Sequence, residues 1–313
     1  MSGPVVVSLG GNALIPGKKG GRIDEQFKVT EATMCHVVHL LRAGEEVVIT
    51  HGNGPIVGNI VIRNEAAAHM IPPTPLYICG ADSQGGIGYM AQQVLRNLLH
   101  RSGIEREVVT VVTQVVVDRE DPGFHNPTKP IGPFYTQEEA RALGRARGWT
   151  MMEDAGRGWR HAVASPEPLR IVEIGAIRTL VSAGHVVIAA GGGGVPVIEV
   201  EPGIYEGVEA VIDKDLASVV LGQALGAKRL LIVTSVDQVM LHYRTERETP
   251  LPLLSLEDAK RYHEDGHFPP GNMGPKILSA IRFLDHGGEE VLITSPDKLA
   301  DALAGKAGTR IVP

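Results

Sequence analysis

The stretch VVVSLGGN (residues 5–12) is a β-branched run that ends in a glycine turn. β-Branched side chains favour strands, and glycine lets the chain turn sharply where a strand ends. The same succession returns at residues 46–54 and 185–194, and a further β-like run spans 229–234. Helical stretches separate these runs, the first of them predicted from about residue 24 to residue 43 and the next from near residue 56. The alternation predicts an α/β fold, an open and mostly parallel sheet sandwiched by helices.

The bulk composition is that of a globular protein. The chain has 313 residues, 43% of them hydrophobic and 21% charged, which is enough for a large buried core. A net charge of −6 gives no electrostatic reason to expect a nucleic-acid partner. The N-terminal residues show no basic segment followed by a long apolar run, so we expect neither a secretion signal nor a membrane span. Cys35 and Cys79 have no metal-type spacing, and we expect both to be buried in a cytoplasmic protein.

Residues from about 114 to 168 interrupt the alternation. Prolines are spread among hydrophobic residues here, and both tryptophans, Trp149 and Trp159, lie in this stretch. We interpret it as an inserted, protruding subdomain or lid. A disordered loop is the alternative.

Two glycine turns in the N-terminal half are candidate anion-binding sites, one at residues 10–12 and one at residues 52–54. Each follows a predicted strand, and in parallel sheets ligands bind beyond the carboxyl ends of the strands. Glycine lets backbone amides approach an anion without a side chain in the way, and a helix N-terminus adds partial positive charge. A tight turn needs glycine in any case. Two turns in matching positions, each with an asparagine, favour a ligand.

The common nucleotide-binding and nucleophile motifs do not occur. No G-x-x-x-x-G-K-[ST] string exists. The spacing of Gly52, Gly54 and Gly58 has one residue too many for the dinucleotide motif, whose downstream acidic residue is also missing. There is neither an H-E-x-x-H string nor a nucleophile elbow. These absences disfavour a dinucleotide-dependent oxidoreductase and covalent catalysis.

Three lysines are positioned by their local sequence. Lys214 lies between Asp213 and Asp215 at a predicted helix start, where Asp215 would align it or a second lysine. An N-cap with solvated neighbours is the alternative reading of these aspartates. Lys276 ends another glycine loop, and Lys129 is flanked by prolines. Positioned lysines with few general bases suit phosphoryl transfer to a small anion, a reaction that depends on charge neutralisation, usually with Mg²⁺.

These strings together resemble the carbamate kinases of the amino acid kinase family along nearly the whole chain. The matching segments follow the family's order and spacing and lie at residues 9–14, 51–55, 83–89, 121–122, 126–135, 191–196, 212–218 and 272–276. The resemblance implies a homodimer that interconverts ATP plus carbamate with ADP plus carbamoyl phosphate, often to regenerate ATP during arginine breakdown. It further implies an N-terminal carbamate lobe over residues 1–220, with the insertion at about 114–168, and a C-terminal nucleotide lobe over residues 221–313.

The resemblance also implies roles for individual residues. The catalytic set would comprise Lys129, Lys214, Asp215 and Lys276. The carbamate and phosphoryl site would be lined by Gly10, Gly11, Asn12, Gly52, Asn53 and Gly54. ATP or ADP would contact Thr234, Ser235, Val236, Asp237, Tyr243, Met273 and Gly274. Mg²⁺ is expected as a cofactor, and no residue is expected to hold a resident metal ion.

The chain departs from the family pattern at three places. Ser235 replaces an aspartate, residues 159–166 lack an arginine and a proline, and Asp82 replaces an apolar residue. None of these changes removes a predicted catalytic lysine. A kinase for another carboxylate such as N-acetylglutamate is disfavoured by Asn53, where its relatives have a third glycine. A nucleoside-monophosphate kinase is disfavoured by the segment around Lys129, and a non-catalytic ATP-binding protein would be expected to have lost the lysines.

Overall fold

The computed structural model describes residues 3–14, 21–154, 156–268 and 273–313, without the side chain of Asn12. The strands within these ranges are β1 (Val5–Leu9), β2 (Val47–His51), β3 (Val108–Thr110), β4 (Gln114–Val117), β5 (Lys129–Tyr135), β6 (Thr150–Glu153), β7 (Trp159–Val163), β8 (Pro168–Ile171), β9 (Val186–Ile188), β10 (Val195–Glu201), β11 (Ile204–Gly207), β12 (Arg229–Val233), β13 (Val239–Leu241), β14 (Thr249–Leu251), β15 (Leu253–Ser255), β16 (Glu290–Thr294) and β17 (Thr309–Val312). The helices within them are α1 (Ile23–Arg42), α2 (Gly54–Ala67), α3 (Leu76–Arg101), α4 (Gln137–Arg147), α5 (Ile174–Ser182), α6 (Lys214–Leu225), α7 (Leu256–Glu264), α8 (Met273–Asp285) and α9 (Leu299–Leu303). Across those same ranges, no helix combines the length and the apolar character that a membrane crossing requires.

An eight-stranded sheet forms the centre of the molecule, in the order β15-β17-β16-β12-β1-β2-β9-β3. Every neighbouring pair in it is parallel except β16 with β17. Successive side chains of a strand point to opposite faces. Val5 and Val7 accordingly pack in one core with α1 and α3, whereas Val6 packs in a second core with α6 and α8. Because helices cover both faces, the β-branched runs are buried throughout, and the predicted fold class is confirmed.

The described residues form three smaller sheets as well, the last of which is only the antiparallel pair of β13 with β14. The first has the order β11-β10-β4-β8, and the second, called here the small sheet, consists of β5, β7 and β6 with α4. The small sheet rests on α2 through a glycine pair, because a Cβ on Gly58 would lie 2.0 Å from the Cα of Gly132. Gly132 also has a φ of 73°, a conformation that favours glycine. This contact places the start of β5 beside the ends of the central strands.

The inserted stretch differs from expectation in its extent. Strands β4 and β8 pair within the four-stranded sheet, and only residues 129–163 contribute to the small sheet and α4. The described residues of the insertion form strands and a helix, which excludes the alternative of a disordered loop. The proline-rich sequence did not reveal the pairing of β4 with β10, since that pairing joins residues about eighty positions apart.

Local predictions hold with small shifts and one error. Helix α1 begins at Ile23 after an N-cap at Arg22, and α2 begins two residues before the predicted start. Strand β9 is shorter than predicted, because Ala190 adopts a φ of 48° and turns the chain into the glycine run. The expectation that both cysteines are buried is wrong. Cys79 is buried, but Cys35 lies on the exposed side of α1.

Candidate active site

The two glycine turns lie side by side at the carboxyl edge of the central sheet. Leu9 and His51 are register partners at the ends of β1 and β2, so the chain enters both turns at the same level. A Cβ on Gly52 would lie 2.9 Å from the backbone nitrogen of Gly11 and 3.4 Å from the Cδ of Lys214. No larger residue fits at Gly52 without displacing one of these groups. The turns therefore need glycine for their mutual approach.

Asp213 connects the start of α6 to the small sheet. Its Oδ1 accepts hydrogen bonds from the backbone nitrogens of Asp215 at 2.9 Å and Leu216 at 3.4 Å, which makes it the N-cap of α6. Its Oδ2 lies 2.6 Å from the Nζ of Lys129, the first residue of β5. One carboxylate thus serves both as a helix cap and as the partner of a lysine.

Asp215 lies between the two remaining lysines. Lys276 Nζ is 3.0 Å from Oδ2 of Asp215, and Lys214 Nζ is hydrogen-bonded to Oδ1. The Asp215 side chain is 3% exposed, and each lysine side chain is 11% exposed. A buried carboxylate that accepts from two ammonium groups holds both of them in fixed positions.

Burial and the neighbouring opposite charges shift the pKa values of Asp215 and Lys276 in opposite directions. Burial alone would raise the pKa of Asp215, but Lys214, Lys276 and the hydrogen bonds from Lys214 and Ser8 hold that pKa well below its usual range. Burial would lower the pKa of Lys276, but Asp215 and Asp213 raise it above its usual value. The pKa of Lys214 is lowered by burial and by the charge of Lys276, against the attraction of Asp215. With every group ionised, three lysines against two aspartates leave one net positive charge for an incoming anion.

A cavity of about 140 Å³ opens beside this cluster. It brings together seven of the predicted site residues, namely Gly52, Asn53, Gly54, Lys129, Lys214, Asp215 and Lys276. Gly11 lies against Gly52, Gly10 lies against the end of β12, and the side chain of Asn12 is outside the described residues. Asn53 is 5% exposed and donates from Nδ2 to Ser83 Oγ at 2.7 Å. The walls of the cavity are thus glycine backbone on one side and ammonium groups on the other.

The predicted nucleotide-contacting residues lie outside this cavity. Thr234 follows β12, and its Cα would be 3.6 Å from a Cβ on Gly10. Asp237 accepts from Ser295 Oγ at 2.5 Å in the same region. Tyr243 is 47% exposed in the loop after β13. The other four are Ser235 and Val236 in the loop after β12, and Met273 and Gly274 in the first turn of α8.

A chain of buried hydroxyl groups supports the lysines and was not among the predicted site residues. Ser8 Oγ donates to Asp215 Oδ1 at 2.8 Å and accepts from Lys214 Nζ at 2.9 Å. Ser218 Oγ lies 3.3 Å from Ser8 Oγ and 2.6 Å from Thr50 Oγ1. The available signal was a serine inside the otherwise apolar run of β1.

His51 is a second residue that the sequence did not single out. It is 1% exposed, and its Nδ1 lies 3.2 Å from the carbonyl oxygen of Gly52, to which it donates. The pKa of His51 is lowered to about 4, mainly by burial and less by the charge of Lys214, against the raising effect of that hydrogen bond. The imidazole is therefore neutral at physiological pH.

The residues around the cavity fit a metal ion that is held mainly by the phosphate groups of a substrate. The described ranges contain no group of three His, Cys, Asp or Glu side chains that could hold a metal ion. Asp213 and Asp215 face the cavity, but both accept hydrogen bonds from lysines. Mg²⁺ is commonly held by substrate phosphates and water with few protein ligands. The cluster is compatible with that mode of binding.

Comparisons with known proteins agree along the whole chain. Residues 3–295 match the model of the amino acid kinase family. A carbamate kinase from Pyrococcus horikoshii is 50% identical over 311 residues, which is 99% of each chain. Two structures of carbamate kinase from Giardia lamblia cover 100% of this chain and 99% of their own. The one bound to citric acid has a TM-score of 0.93 at 45% identity, and the one bound to AMP-PNP has a TM-score of 0.89 at 44% identity.

The chain therefore belongs to the amino acid kinase family. Within that family it falls among the carbamate kinases, and it is a phosphotransferase.

Proposed function

We propose that the protein catalyses the reversible transfer of a phosphoryl group between ATP and carbamate, giving ADP and carbamoyl phosphate. The observation that supports this most is the cluster of Lys129, Lys214 and Lys276 around two aspartates beside a cavity of about 140 Å³. Carbamate and a nucleotide phosphate are both anions, and they repel each other. A confined site with a net positive charge offsets that repulsion, which is what this transfer needs.

In this proposal Lys214 and Lys276 stabilise the charge on the transferring phosphoryl oxygens. Asp215 keeps the two ammonium groups in place, so little reorganisation accompanies the reaction. Lys129 binds the anionic acceptor from the side of the small sheet. Carbamate already carries its negative charge, so its oxygen can attack without a general base. Among the described residues that line the cavity, Asp213 and Asp215 are the only carboxylates, and each is held in an ion pair by a lysine.

The nucleotide is assigned to the edge formed by the ends of β12 and the start of α8. Support comes from the adjacency of Thr234 to Gly10 and of Lys276 to the cavity. This division corresponds to an acceptor lobe over residues 1–220 and a nucleotide lobe over residues 221–313. Mg²⁺ would be held by the phosphate oxygens and would supply charge neutralisation. The small sheet would act as a lid through Lys129.

We further propose that the protein is a homodimer, formed through the exposed face of α3. Exposed positions along this helix recur at helical spacing: Ile78, Asp82, Gly85, Gly86 and Tyr89. A Cβ on either glycine would meet nothing within 4 Å, so the backbone is open to close approach. A second copy of α3 across a two-fold axis would bury Ile78 and Tyr89 against these glycines.

Light scattering after gel filtration tests the dimer. The native chain is expected at twice its mass of 33.4 kDa. Tyr89→Glu is expected to shift it to 33.4 kDa, whereas Tyr243→Glu, at a similarly exposed tyrosine outside α3, is expected to leave it dimeric. A native monomer, or a Tyr89→Glu dimer, would exclude this interface.

We also propose a cytoplasmic location, from the cysteines, and a role in arginine breakdown, from the family resemblance. Cys35 and Cys79 are both free thiols, and one of them is exposed, which is typical of a reducing compartment. The role in arginine breakdown rests on the family resemblance, and there the protein would regenerate ATP from carbamoyl phosphate.

A coupled assay of ATP formation tests the proposed reaction. ADP and carbamoyl phosphate are expected to yield ATP, and Lys276→Ala is expected to lower kcat by about 10²–10³-fold, the usual loss for a group that stabilises transition-state charge. Lys260→Ala is the matched control, because Lys260 pairs with Asp285 at the surface. No ATP formation, together with phosphorylation of N-acetylglutamate by ATP, would contradict the choice of substrate.

A further inference from the structure

A second cavity lies in the small sheet, between α4 and the strands β6 and β7. Its volume is about 280 Å³, about twice that of the lysine cavity, and the two share no lining residue. Its walls include Gln137, Arg141 and Arg145 of α4 and Trp149, Met151 and Trp159 of the sheet side. Both tryptophans of the chain are therefore in the wall of one groove. We refer to it as the tryptophan groove.

Two arginines of the groove have no ion-pair partner within the described part of the chain. Arg141 and Arg145 are one helical turn apart, so both guanidinium groups project from the same face of α4. Both are exposed, and neither makes an ion pair or a side-chain hydrogen bond to any residue in the described part of the chain. The neighbouring Arg147 differs, because it pairs with Glu65 and lies 4.9 Å from the ring centre of Trp149.

Aromatic walls and unpaired guanidinium groups together select a particular ligand. Trp149 and Trp159 are partly buried in the wall of the groove, and aromatic rings attract a planar ring in offset-stacked or edge-to-face arrangements. Arginine binds carboxylate and phosphate oxygens through a planar pair of donors and also stacks on rings. We propose that the tryptophan groove binds a small aromatic anion, a planar ring that carries a carboxylate or a phosphate, and that its occupant alters the position of Lys129.

The path from the groove to Lys129 is short. The Trp149 ring stacks on the His161 ring with centroids 4.2 Å apart and an interplanar angle of 3°. His161 in β7 is the register partner of Ile131 in β5, and Lys129 is two residues earlier in that strand. A ligand that shifts Trp149 therefore acts on the strand whose first residue reaches Asp213. This part of the inference rests on the proposed role of Lys129.

Tryptophan fluorescence reports on the groove alone, since the chain has no tryptophan elsewhere. Phenyl phosphate is the probe, and a parallel titration with inorganic phosphate alone shows whether filling the lysine cavity changes the emission. A saturable change in emission is expected for phenyl phosphate and not for benzyl alcohol, which lacks the charge. Arg141→Gln/Arg145→Gln is expected to weaken binding at least about tenfold, because it removes the charged donors that would bind the anion. Arg42→Gln, at an exposed arginine of α1, is the control and is expected to bind normally.

A linear, non-saturable change, or equal binding by the double variant, would overturn the groove as a site. The titration needs no turnover, so it can fail or succeed independently of carbamate kinase activity. For the effect on Lys129, saturating phenyl phosphate is expected to change the KM for carbamoyl phosphate at least about twofold in the native enzyme and not in the double variant. An unchanged KM in the native enzyme, or the same change in both proteins, would overturn that effect.

Discussion

The Nζ of Lys129 lies 2.6 Å from the Oδ2 of Asp213, and this ion pair joins the small sheet to the N-cap of α6. The two side chains are 29% and 18% exposed, so solvent and a small anion can reach the pair from the cavity. The other oxygen of Asp213 is already used by the backbone of α6. An anion entering the cavity therefore competes with Asp213 for Lys129 and leaves the helix cap intact.

Lys129→Met is expected to raise the KM for carbamoyl phosphate by about tenfold or more, the equivalent of one charge-assisted hydrogen bond. The value of kcat is expected to change less, because Lys214 and Lys276 keep their contacts with Asp215. Steady-state kinetics of ATP formation measures both parameters. Lys28→Met, at an exposed lysine of α1, is the control. An unchanged KM would show that Lys129 does not bind the acceptor.

Ser8→Ala removes a hydroxyl that touches both Asp215 and Lys214. The site loses two hydrogen bonds to charged groups, which are typically worth about 1.5–3 kcal/mol each, so kcat is expected to fall about tenfold or more. The KM for ADP is expected to stay the same, since Ser8 acts by positioning Lys214 rather than by contacting the nucleotide. Ser182→Ala, at an exposed serine of α5, controls for loss of a hydroxyl. A rise in KM with a constant kcat would argue against the positioning role.

The fold could be predicted from the sequence because the patterns that determine it are local. The valine run of β1 and the glycine turn after it need no distant information, and the same holds for the apolar periodicity of α1. The glycine turns after β1 and β2 predicted one wall of the cavity, since parallel strands bring their carboxyl ends to one edge. The three lysines, which lie at the starts of β5 and α6 and in α8, were instead indicated by their aspartate, glycine and proline neighbours.

The hydrogen-bond and ion-pair partners of those residues could not be predicted in the same way. Lys129 and Asp213 are 84 positions apart, and their pairing depends on β5 resting on α2. Ser8 was visible as a polar residue in an apolar strand, but Asp215, its acceptor, is 207 positions away. Long-range contacts of this kind follow from packing between elements, which one sequence does not encode in any local pattern.

Gly58→Ala tests how the small sheet is held over the cavity. The added Cβ would lie 2.0 Å from the Cα and 2.2 Å from the nitrogen of Gly132, so β5 must move away from α2. We expect a loss of stability of about 1–3 kcal/mol, as for other overpacked contacts, and a raised KM for carbamoyl phosphate because Lys129 moves with β5. Gly175→Ala is the control, since a Cβ there meets nothing within 4 Å. Denaturant unfolding and kinetics with both variants measure the effects, and a Gly58→Ala enzyme with native stability and KM would contradict the close contact.

The free energy of unfolding is expected to depend on pH through His51. In the folded protein its pKa is lowered from 6.5 to about 4, mainly by burial and less by Lys214, against the effect of a hydrogen bond to Gly52. As the pH falls from about 6.5 to about 4, the unfolded chain takes up a proton on this histidine and the folded protein does not. His51 therefore destabilises the fold over that range, by as much as about 1.4 kcal/mol per pH unit.

His51→Gln removes this proton uptake while keeping a hydrogen-bond donor near Gly52. Its free energy of unfolding, measured with denaturant from pH 8 to pH 4, is expected to fall less steeply below about pH 6.5 than that of the native protein. Above about pH 7.5 the two curves are expected to run parallel, because neither chain takes up a proton at this position there. The comparison uses the slope, so a constant offset from altered packing against Gly191 does not affect it. Parallel curves over the whole range would mean that His51 is protonated in the folded protein as readily as in the unfolded chain.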